Sequence, residues 1–518
     1  MISNVVIVGG GTAGWMSACY LNATFGPRLS VTVVESKEIP TVGVGEATFS
    51  TIRHFFGYLG IKERDWMPDC AATYKLAIRF ENWREPGHRF YHPFERTRVV
   101  EGFPLTDWWL RLRPGDRFDD DCFVIPALCD SLSSPRHLDG RMFEQPETGA
   151  PFESEARNTM AEQSTQFPYA YHFDAALLAK FLTGLGTSRG VRHILDNVTD
   201  VALDERGWIS HLRTAEHGDV HGDLFIDCTG FRGMLLNKAM GEPFLSYLDT
   251  LPNDRAVALR VPAGNSGLRP CTTATAQDAG WIWTIPLFGR IGTGYVYSGG
   301  YLTPDEAERT LRDFVGPAAD GLVANHIRMR IGRTRNAWVR NCVGIGLSAG
   351  FVEPLESTGI FFIQNGIEQL VKHFPDSGWD DTLRASYNQR IARMMDGVRG
   401  FLTLHYYAAR RQDNAYWKDT KTRPLPDGLA EQVGQWRVKL PDSESVFPYY
   451  HGFEPYSYQV MLLGLGGVPL SASPALGGMD AAAAASELRA VRQEAADLVG
   501  QLPSQSEYFS HLREGTAL

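Results

Sequence analysis

Four groups of residues in this chain have types and spacings that could do chemistry. Gly9-Gly10-Gly11-Thr12-Ala13-Gly14 supplies Gly-x-Gly-x-x-Gly directly after the apolar run Ile2 to Val8. Glycines there let the backbone turn tightly and approach a pyrophosphate, whose charge a helix N-terminus stabilises. Glu35 closes the next apolar run, Leu29 to Glu35, where a carboxylate accepts hydrogen bonds from an adenosine ribose. That order implies dinucleotide binding and suits NAD as well as FAD. Thr358 and Gly359 stand before the helical pattern Ile360 to Phe374, where unpaired N–H groups and the helix dipole favour an anion. Trp281 and Trp283, two apart in an apolar run, project to one face of a strand, an arrangement that also serves aromatic core packing. Lys75 and Glu356 could hold or move a proton if they were buried. By residue type alone, the first reads as a surface lysine and the second as a charge at a helix start.

These residues need elements to position them. Residues 2–35 read as strand, glycine turn, helix (Trp15 to Phe25) and strand, which is a βαβ unit. Further strands are predicted at Asp223 to Cys228, Ala256 to Val261, Trp281 to Ile285, Gly292 to Tyr297 and Asn341 to Leu347. Apolar spacing of 3.6 predicts helices over Asp174 to Gly184, Pro304 to Val315 and Ile360 to Phe374. From about Asp380 the pattern turns helical and aromatic. Gly464 to Gly478 reads as a linker, and Asp480 as the N-cap of a helix Ala481 to Val499 whose Leu488, Val491, Ala495 and Leu498 form a core-facing stripe.

Composition narrows the class. No apolar run comes near the roughly 20 residues that span a bilayer, and the start of the chain reads as a buried strand with no basic, cleavable leader, so a cytoplasmic protein is expected. A net charge of −10 without a basic stripe argues against nucleic acid. Seven scattered cysteines show neither disulfide nor metal spacing and are expected as reduced, mostly packed thiols.

Longer stretches carry a resemblance. Asp223-Leu224-Phe225-Ile226-Asp227-Cys228-Thr229-Gly230 resembles the strand-to-glycine return of glutathione-reductase-type flavoproteins, which favours FAD over NAD. Gly344-Ile345-Gly346-Leu347-Ser348-Ala349-Gly350 resembles the segment passing the flavin ribityl chain, without its usual acidic residue. Trp281-Ile282-Trp283-Thr284-Ile285-Pro286 matches W-x-W-x-I-P. Phe351-Val352-Glu353-Pro354-Leu355-Glu356-Ser357-Thr358-Gly359-Ile360 looks like a halide and flavin loop, Gly43-Val44-Gly45-Glu46-Ala47-Thr48 like a flavin strap, and Tyr74 to Trp83 like a strand bearing a lysine. Together, in this order from residue 9 to about residue 370, they resemble the flavin-dependent tryptophan halogenases.

The resemblance implies an α/β, glutathione-reductase-like FAD-binding fold, a Rossmann-type βαβ with a β-rich layer, and an appended mainly helical C-terminal subdomain. Residues 1–395 would be the FAD-binding core, with 96–165 an insertion on the substrate side, and 396–518 a helical substrate-side part. It implies an enzyme that uses reduced FAD, O2 and chloride or bromide to form hypohalous acid, delivered through Lys75 to an electron-rich aromatic ring. Glu356 would polarise the oxidant or accept the ring proton, and the two side chains should be partly buried and close together. Gly9, Gly11, Thr12, Ala13, Gly14, Glu35, Gly45, Glu46, Ala47, Val198, Leu347 and Ile360 would bind the cofactor, and Thr358 and Gly359 the halide. Trp281 and Trp283 would keep flavin and substrate apart. No metal is implied. No second Gly-x-Gly-x-x-Gly is present for a nicotinamide, so reduced FAD would come from a separate NAD(P)H-dependent flavin reductase. A homodimer is compatible with all of this.

For the substrate, His92-Pro93-Phe94 matches the stretch whose His and Phe sandwich an indole. In relatives that act on free tryptophan a glutamate and an aromatic pair hold the amino acid part; this region keeps the tyrosine pair Tyr449 and Tyr450 but has Tyr456, Val460 and Met461 where the others are expected. Glu454 could bind an ammonium after a shift of register. Indole or a substituted indole is therefore expected first, tryptophan second and a larger scaffold third. Two rival readings are an aromatic-ring flavin monooxygenase, which has no need of Lys75, Glu356 or the tryptophan pair, and a flavin-binding redox protein without turnover.

Overall fold

A computed structural model describes residues 2–38, 45–143, 169–264, 267–447 and 451–514. The chain forms two compact units, each assembled from three segments: residues 1–72, 173–248 and 329–396 in the first, and 73–172, 249–328 and 397–518 in the second. Among the described residues no helix is long and apolar enough to cross a membrane.

The first unit is built on a six-stranded sheet in the order Arg192–Leu195, Ser30–Glu35, Asn4–Val8, Leu224–Asp227, Cys342–Gly344, Trp338–Val339. The first five strands run parallel and only the last pair is antiparallel. Strands of a parallel sheet are covered on both faces and so read as near-continuous apolar runs. Val5, Val6 and Ile7 are accordingly all fully buried. Helices Thr12–Phe25, Ala175–Ser188 and Gly359–Lys372 belong to this unit. An antiparallel meander, Val198–Leu203, Ile209–Thr214 and Asp219–His221, closes a core of Val6, Val8, Val34, Ile209, Leu212 and Phe225.

The second unit centres on a seven-stranded sheet in the order Asn325–Arg328, Arg255–Pro262, Arg290–Tyr297, Gly280–Leu287, Cys271–Gln277, Ala77–Glu81, Arg89–Pro93. All its pairs are antiparallel except Cys271–Gln277 with Ala77–Glu81. Helix Pro304–Val315 buries Ala307 and Leu311 against Val257, Leu259 and Ile282. The C-terminal helices Pro455–Leu465, Ala482–Gln501 and Gln505–Arg513 complete the unit.

The α/β class, the parallel sheet with its β-rich layer and the helical C-terminal region are as expected. Three local expectations are corrected. The strand expected to reach Leu347 ends at Gly344, because Gly346 takes a φ of +77° and starts a 3-10 turn over Gly346–Ser348. The linker expected over Gly464 to Gly478 is largely ordered: Gly464 and Leu465 end a helix, and Pro474–Gly478 is a 3-10 helix. Gly464 is small for packing, since a Cβ there would come 2.3 Å from the Phe90 ring. The lysine-bearing strand expected over Tyr74 to Trp83 is broken at Leu76 into Thr73–Lys75 and Ala77–Glu81, which pair with different partners.

Candidate functional site

In the first unit the chain leaves strand Asn4–Val8, turns through the glycines and enters helix Thr12–Phe25. Gly9 has a φ of +112°, and a Cβ on it would lie 2.3 Å from the Cys228 carbonyl oxygen. A Cβ on Gly14 would lie 1.9 Å from the Gly9 carbonyl oxygen. Only glycine allows this approach of helix to turn. Gly11 caps the helix without a side-chain bond, and its first turn holds no acidic residue, which leaves N–H groups available to an anion. Thr12 is buried, with its hydroxyl 3.4 Å from the Ala175 carbonyl oxygen. Ala13 faces Gly346, where an added Cβ would come 3.0 Å from the Ala13 methyl. Glu35 ends its strand with a half-exposed carboxylate that accepts from His193 Nε2 at 2.9 Å. This set fits the adenosine diphosphate half of a dinucleotide.

Gly45 is described, while Gly43 and Val44 of the expected strap lie outside the described residues. Glu46 and Ala47 form a two-residue strand, and desolvation together with nearby Asp174 pushes the Glu46 carboxyl up to about 7. Val198 opens the first strand of the meander, half-buried. Leu347 lies in the 3-10 turn, half-buried, and Ile360 is buried in helix Gly359–Lys372. Asp227 holds the strand-to-glycine return together, accepting from Thr229 N at 2.9 Å, from Thr229 Oγ1 at 2.6 Å and from the N–H groups of Leu235 and Leu236 at 2.8 Å each.

The same unit carries the loop before helix Gly359–Lys372. Glu356 is buried, 2% exposed, at the end of the 3-10 turn Pro354–Glu356. Ser357 then takes a left-handed φ of +60°, which reverses the chain into the helix. No sequence signal marked it, because a serine rarely adopts that conformation. Thr358 occupies the N-cap, buried, and its Oγ1 has no hydrogen-bond partner among the described residues. A Cβ on Gly359 would meet nothing within 4 Å. A buried, unsatisfied hydroxyl beside open space at the start of a 14-residue helix fits a small anion such as a halide.

In the second unit Lys75 ends strand Thr73–Lys75 with 0% exposure, its ammonium 5.0 Å above the Phe94 ring. Its strand is fixed by backbone contacts on both sides: Tyr74 N donates to Gln505 Oε1 at 2.8 Å and Leu76 N to the Pro270 carbonyl at 2.8 Å. His92 and Phe94 are buried, and the His92 ring lies 6.1 Å from both Phe401 and Tyr456. Pro93 ends the edge strand and pairs with Ala77. Trp281 and Trp283 lie on one face of strand Gly280–Leu287, ring centroids 6.3 Å apart, and Trp283 Nε1 is buried without a partner among the described residues. Gly294, opposite Trp283 in the next strand, makes room for it, since a Cβ there would come 2.2 Å from the indole.

Tyr449 and Tyr450 lie outside the described residues. Glu454 stands at the N-cap of helix Pro455–Leu465 and grips the guanidinium of Arg96 through both carboxylate oxygens. Val460 and Met461 are fully buried in that helix. The seven cysteines are thiols, six of them buried.

The sequence model of a family described as tryptophan halogenase matches residues 4–481. The chain is 63% identical over 515 residues to the 7-chloro-L-tryptophan 6-halogenase KtzR of Kutzneria sp. (strain 744), covering 98% of this chain and 99% of that one. It is 64% identical over 510 residues to the tryptophan 6-halogenase SttH of Streptomyces toxytricini, covering 98% of this chain and 97% of that one. Among solved structures, Tar14, a tryptophan C-6 flavin-dependent halogenase from taromycin biosynthesis, superposes with a TM-score of 0.94 at 63% identity over 99% of this chain and all of that one.

Proposed function

Since the chain belongs to the tryptophan halogenase family, and so is a flavin-dependent enzyme, we propose that it installs chlorine or bromine on the indole ring of free tryptophan or a ring-substituted tryptophan. The relatives named above, all above 60% identity, act by their names at C6, SttH and Tar14 on tryptophan and KtzR on 7-chloro-L-tryptophan. This moves tryptophan ahead of bare indole, despite Tyr456, Val460 and Met461. C6 is the ring position tested first.

The observation that carries the reading is Lys75. Keeping an ammonium entirely out of water costs several kcal/mol even after relaxation, so a lysine at 0% exposure is retained for chemistry more readily than for packing. FAD, when bound in reduced form with dioxygen, supplies the oxidising equivalent that turns halide into hypohalous acid. Gly9, Gly11, Thr12, Ala13, Gly14 and Glu35 would hold its adenosine diphosphate end, with Gly45, Glu46, Ala47, Val198, Leu347 and Ile360 along the rest. Thr358 and Gly359 would hold the halide at their helix N-terminus. Lys75 donates a hydrogen bond to the oxidant or, after its ammonium gives up a proton, takes the halogen on its nitrogen as the halogen–oxygen bond breaks and water leaves. Glu356 polarises the oxidant or accepts the proton that the ring loses. Trp281 and Trp283 keep the ring away from the flavin, so halogenation replaces hydroxylation.

His92, Pro93 and Phe94 would face the indole, and Tyr449, Tyr450 and Glu454 the amino acid part. Glu454 would exchange Arg96 for the substrate ammonium. The segment 96–165 and the helical residues 396–518 would complete the substrate side of a flavin-binding core at 1–395. Reduced FAD would be delivered by a separate NAD(P)H-dependent reductase. The test is mass spectrometry of products from the protein with FAD, a flavin reductase, NADH and bromide or chloride. Tryptophan and indole are offered separately. Monohalogenated tryptophan, substituted at C6 by NMR, is expected. Hydroxylated product in halide-free buffer would replace the reading with the monooxygenase one.

A further inference from the structure

The second unit holds a buried histidine that no step above uses. His172, with 0% exposure, sits opposite Thr73 on strand Ala170–Phe173, while Ala170 sits opposite Lys75. Its Nδ1 lies 3.2 Å from Thr73 Oγ1 and its Nε2 lies 3.0 Å from Thr272 Oγ1. Thr73 Oγ1 is in turn 2.7 Å from the carbonyl oxygen of Pro286, the proline that closes the run from Trp281.

These distances fix the tautomer. A hydroxyl carries one proton. A carbonyl has none, so the 2.7 Å contact requires Thr73 to donate to Pro286. Thr73 Oγ1 can then only accept from His172, which places the imidazole proton on Nδ1. Nε2 is left to accept the Thr272 hydroxyl proton. Burial first, and the charge of Lys75 second, hold the imidazole well below its ordinary pKa, so the ring is neutral. All three side chains are buried and all their hydrogen-bonding capacity toward one another is used.

Thr73–Lys75 is only three residues long, so its backbone ladder is short and side-chain anchors matter to where it lies. We infer that His172 is a positioning residue for Lys75: through the chain Thr272–His172–Thr73–Pro286 it fastens the lysine's strand to the sheet that bears Trp281 and Trp283. Thr73 and Lys75, two apart, share one face of the strand, so a shift of Thr73 is passed to the lysine side chain. This rests on the reading that Lys75 handles the oxidant. A misplacement of about 1 Å in such a group costs about a hundredfold.

The test separates the two hydrogen bonds. In His172→Asn the amide nitrogen reaches the place of Nδ1 and can still donate to Thr73. In His172→Gln the amide oxygen reaches the place of Nε2 and the Thr73 bond is lost. In His172→Phe both are lost. The readout is halogenated tryptophan formed per reduced flavin oxidised, with escaping hypohalous acid caught by an added chemical trap, alongside FAD affinity and Tm. The expected result for His172→Phe is a fall of about ten- to a hundredfold in coupling, with trap product rising and FAD affinity unchanged. His172→Asn should recover most of the loss and His172→Gln little of it. In histidine-15N-labelled protein without flavin, the signal missing from His172→Phe should show a protonated Nδ1 and a bare Nε2.

Normal coupling in His172→Phe would overturn the inference, as would equal loss in all three variants together with lost FAD binding. Should His172→Phe not fold, Thr73→Val against Thr73→Ser asks the same question, with loss expected only in the valine. Lys75→Ala, run in parallel, tells the failures apart. If it halogenates normally, the role of Lys75 falls and this one with it. If Lys75→Ala is inactive while His172→Phe couples normally, only the positioning role falls.

Discussion

Replacing Gly14 by alanine puts a methyl group where the structure has a carbonyl oxygen. The new Cβ would lie 1.9 Å from Gly9 O, short of the 3.4 Å of ordinary contact by about 1.5 Å, and the neighbour is backbone with no side chain to swing away. Helix Thr12–Phe25 must therefore move off the glycine turn by roughly that amount. Alanine gains about 1 kcal/mol over glycine by helix propensity, which does not offset a clash that only a shift of backbone can relieve, so the variant is destabilised. A cost also falls on the anion site, because the turn's N–H groups no longer converge. Losing one hydrogen bond to a charged phosphate is worth about 1.5–3 kcal/mol, or about a ten- to hundredfold rise in the Kd for FAD. Titration of Gly14→Ala with FAD by flavin fluorescence should show that rise, alongside a lowered Tm. Gly184→Ala is the control: it lies in helix Ala175–Ser188, its Cβ meets nothing within 4 Å, and it should gain about 0.5–1 kcal/mol without touching FAD. Unchanged FAD affinity in Gly14→Ala would refute the assignment of this turn to the cofactor.

Other expectations follow from single contacts. Glu454→Gln breaks the two-oxygen grip on Arg96, a pair exposed enough to contribute only about 0–1 kcal/mol. If Glu454 takes the substrate ammonium, KM for tryptophan rises at least tenfold while that for indole does not move; an equal change in both removes Glu454 from the site. Thr358→Val keeps the shape and deletes the buried Oγ1, which has no partner among the described residues, so halide KM should rise with FAD affinity constant, and an unchanged halide KM would count against the helix N-terminus. Burial pushes His451 down to about 4 from an ordinary 6.5, so it is neutral when folded and the unfolded chain binds the extra proton. Its contribution is present above about pH 6.5 and is lost as pH falls toward about 4, amounting to about 2 kcal/mol at pH 5. His451→Phe should accordingly lose less Tm than wild type between about pH 7 and about pH 5, and parallel Tm losses would show that another group carries the acid sensitivity.

Much of the first unit was legible because its constraints are local. The glycine turn admits nothing but glycine at Gly9 and Gly14, and the strand before it carries the apolar run Val5 to Val8. Helix Pro304–Val315 was readable at both ends, since Thr303 and Glu306 form a capping box, Pro304 is its first residue and Gly316 ends it. What was hidden depends on contacts far apart in the chain. The interleaving of segments into two units leaves no mark in composition. Nor does the break at Leu76, where the strand changes partners between Ala170–Phe173 and Cys271–Gln277. Gly464 looked like flexibility and is a close contact with Phe90. His172 carries no motif, and only its register opposite Thr73 makes it notable.

In the proposed reaction buried Lys75 passes the oxidised halogen to the ring. The most direct measurement is Lys75→Ala, supplied with reduced flavin, oxygen, bromide and tryptophan, with halogenated tryptophan and trapped hypohalous acid quantified together. Loss of halogenated tryptophan by about a hundredfold or more, with hypohalous acid still formed, is the predicted result. Halogenated tryptophan at the wild-type rate would contradict it.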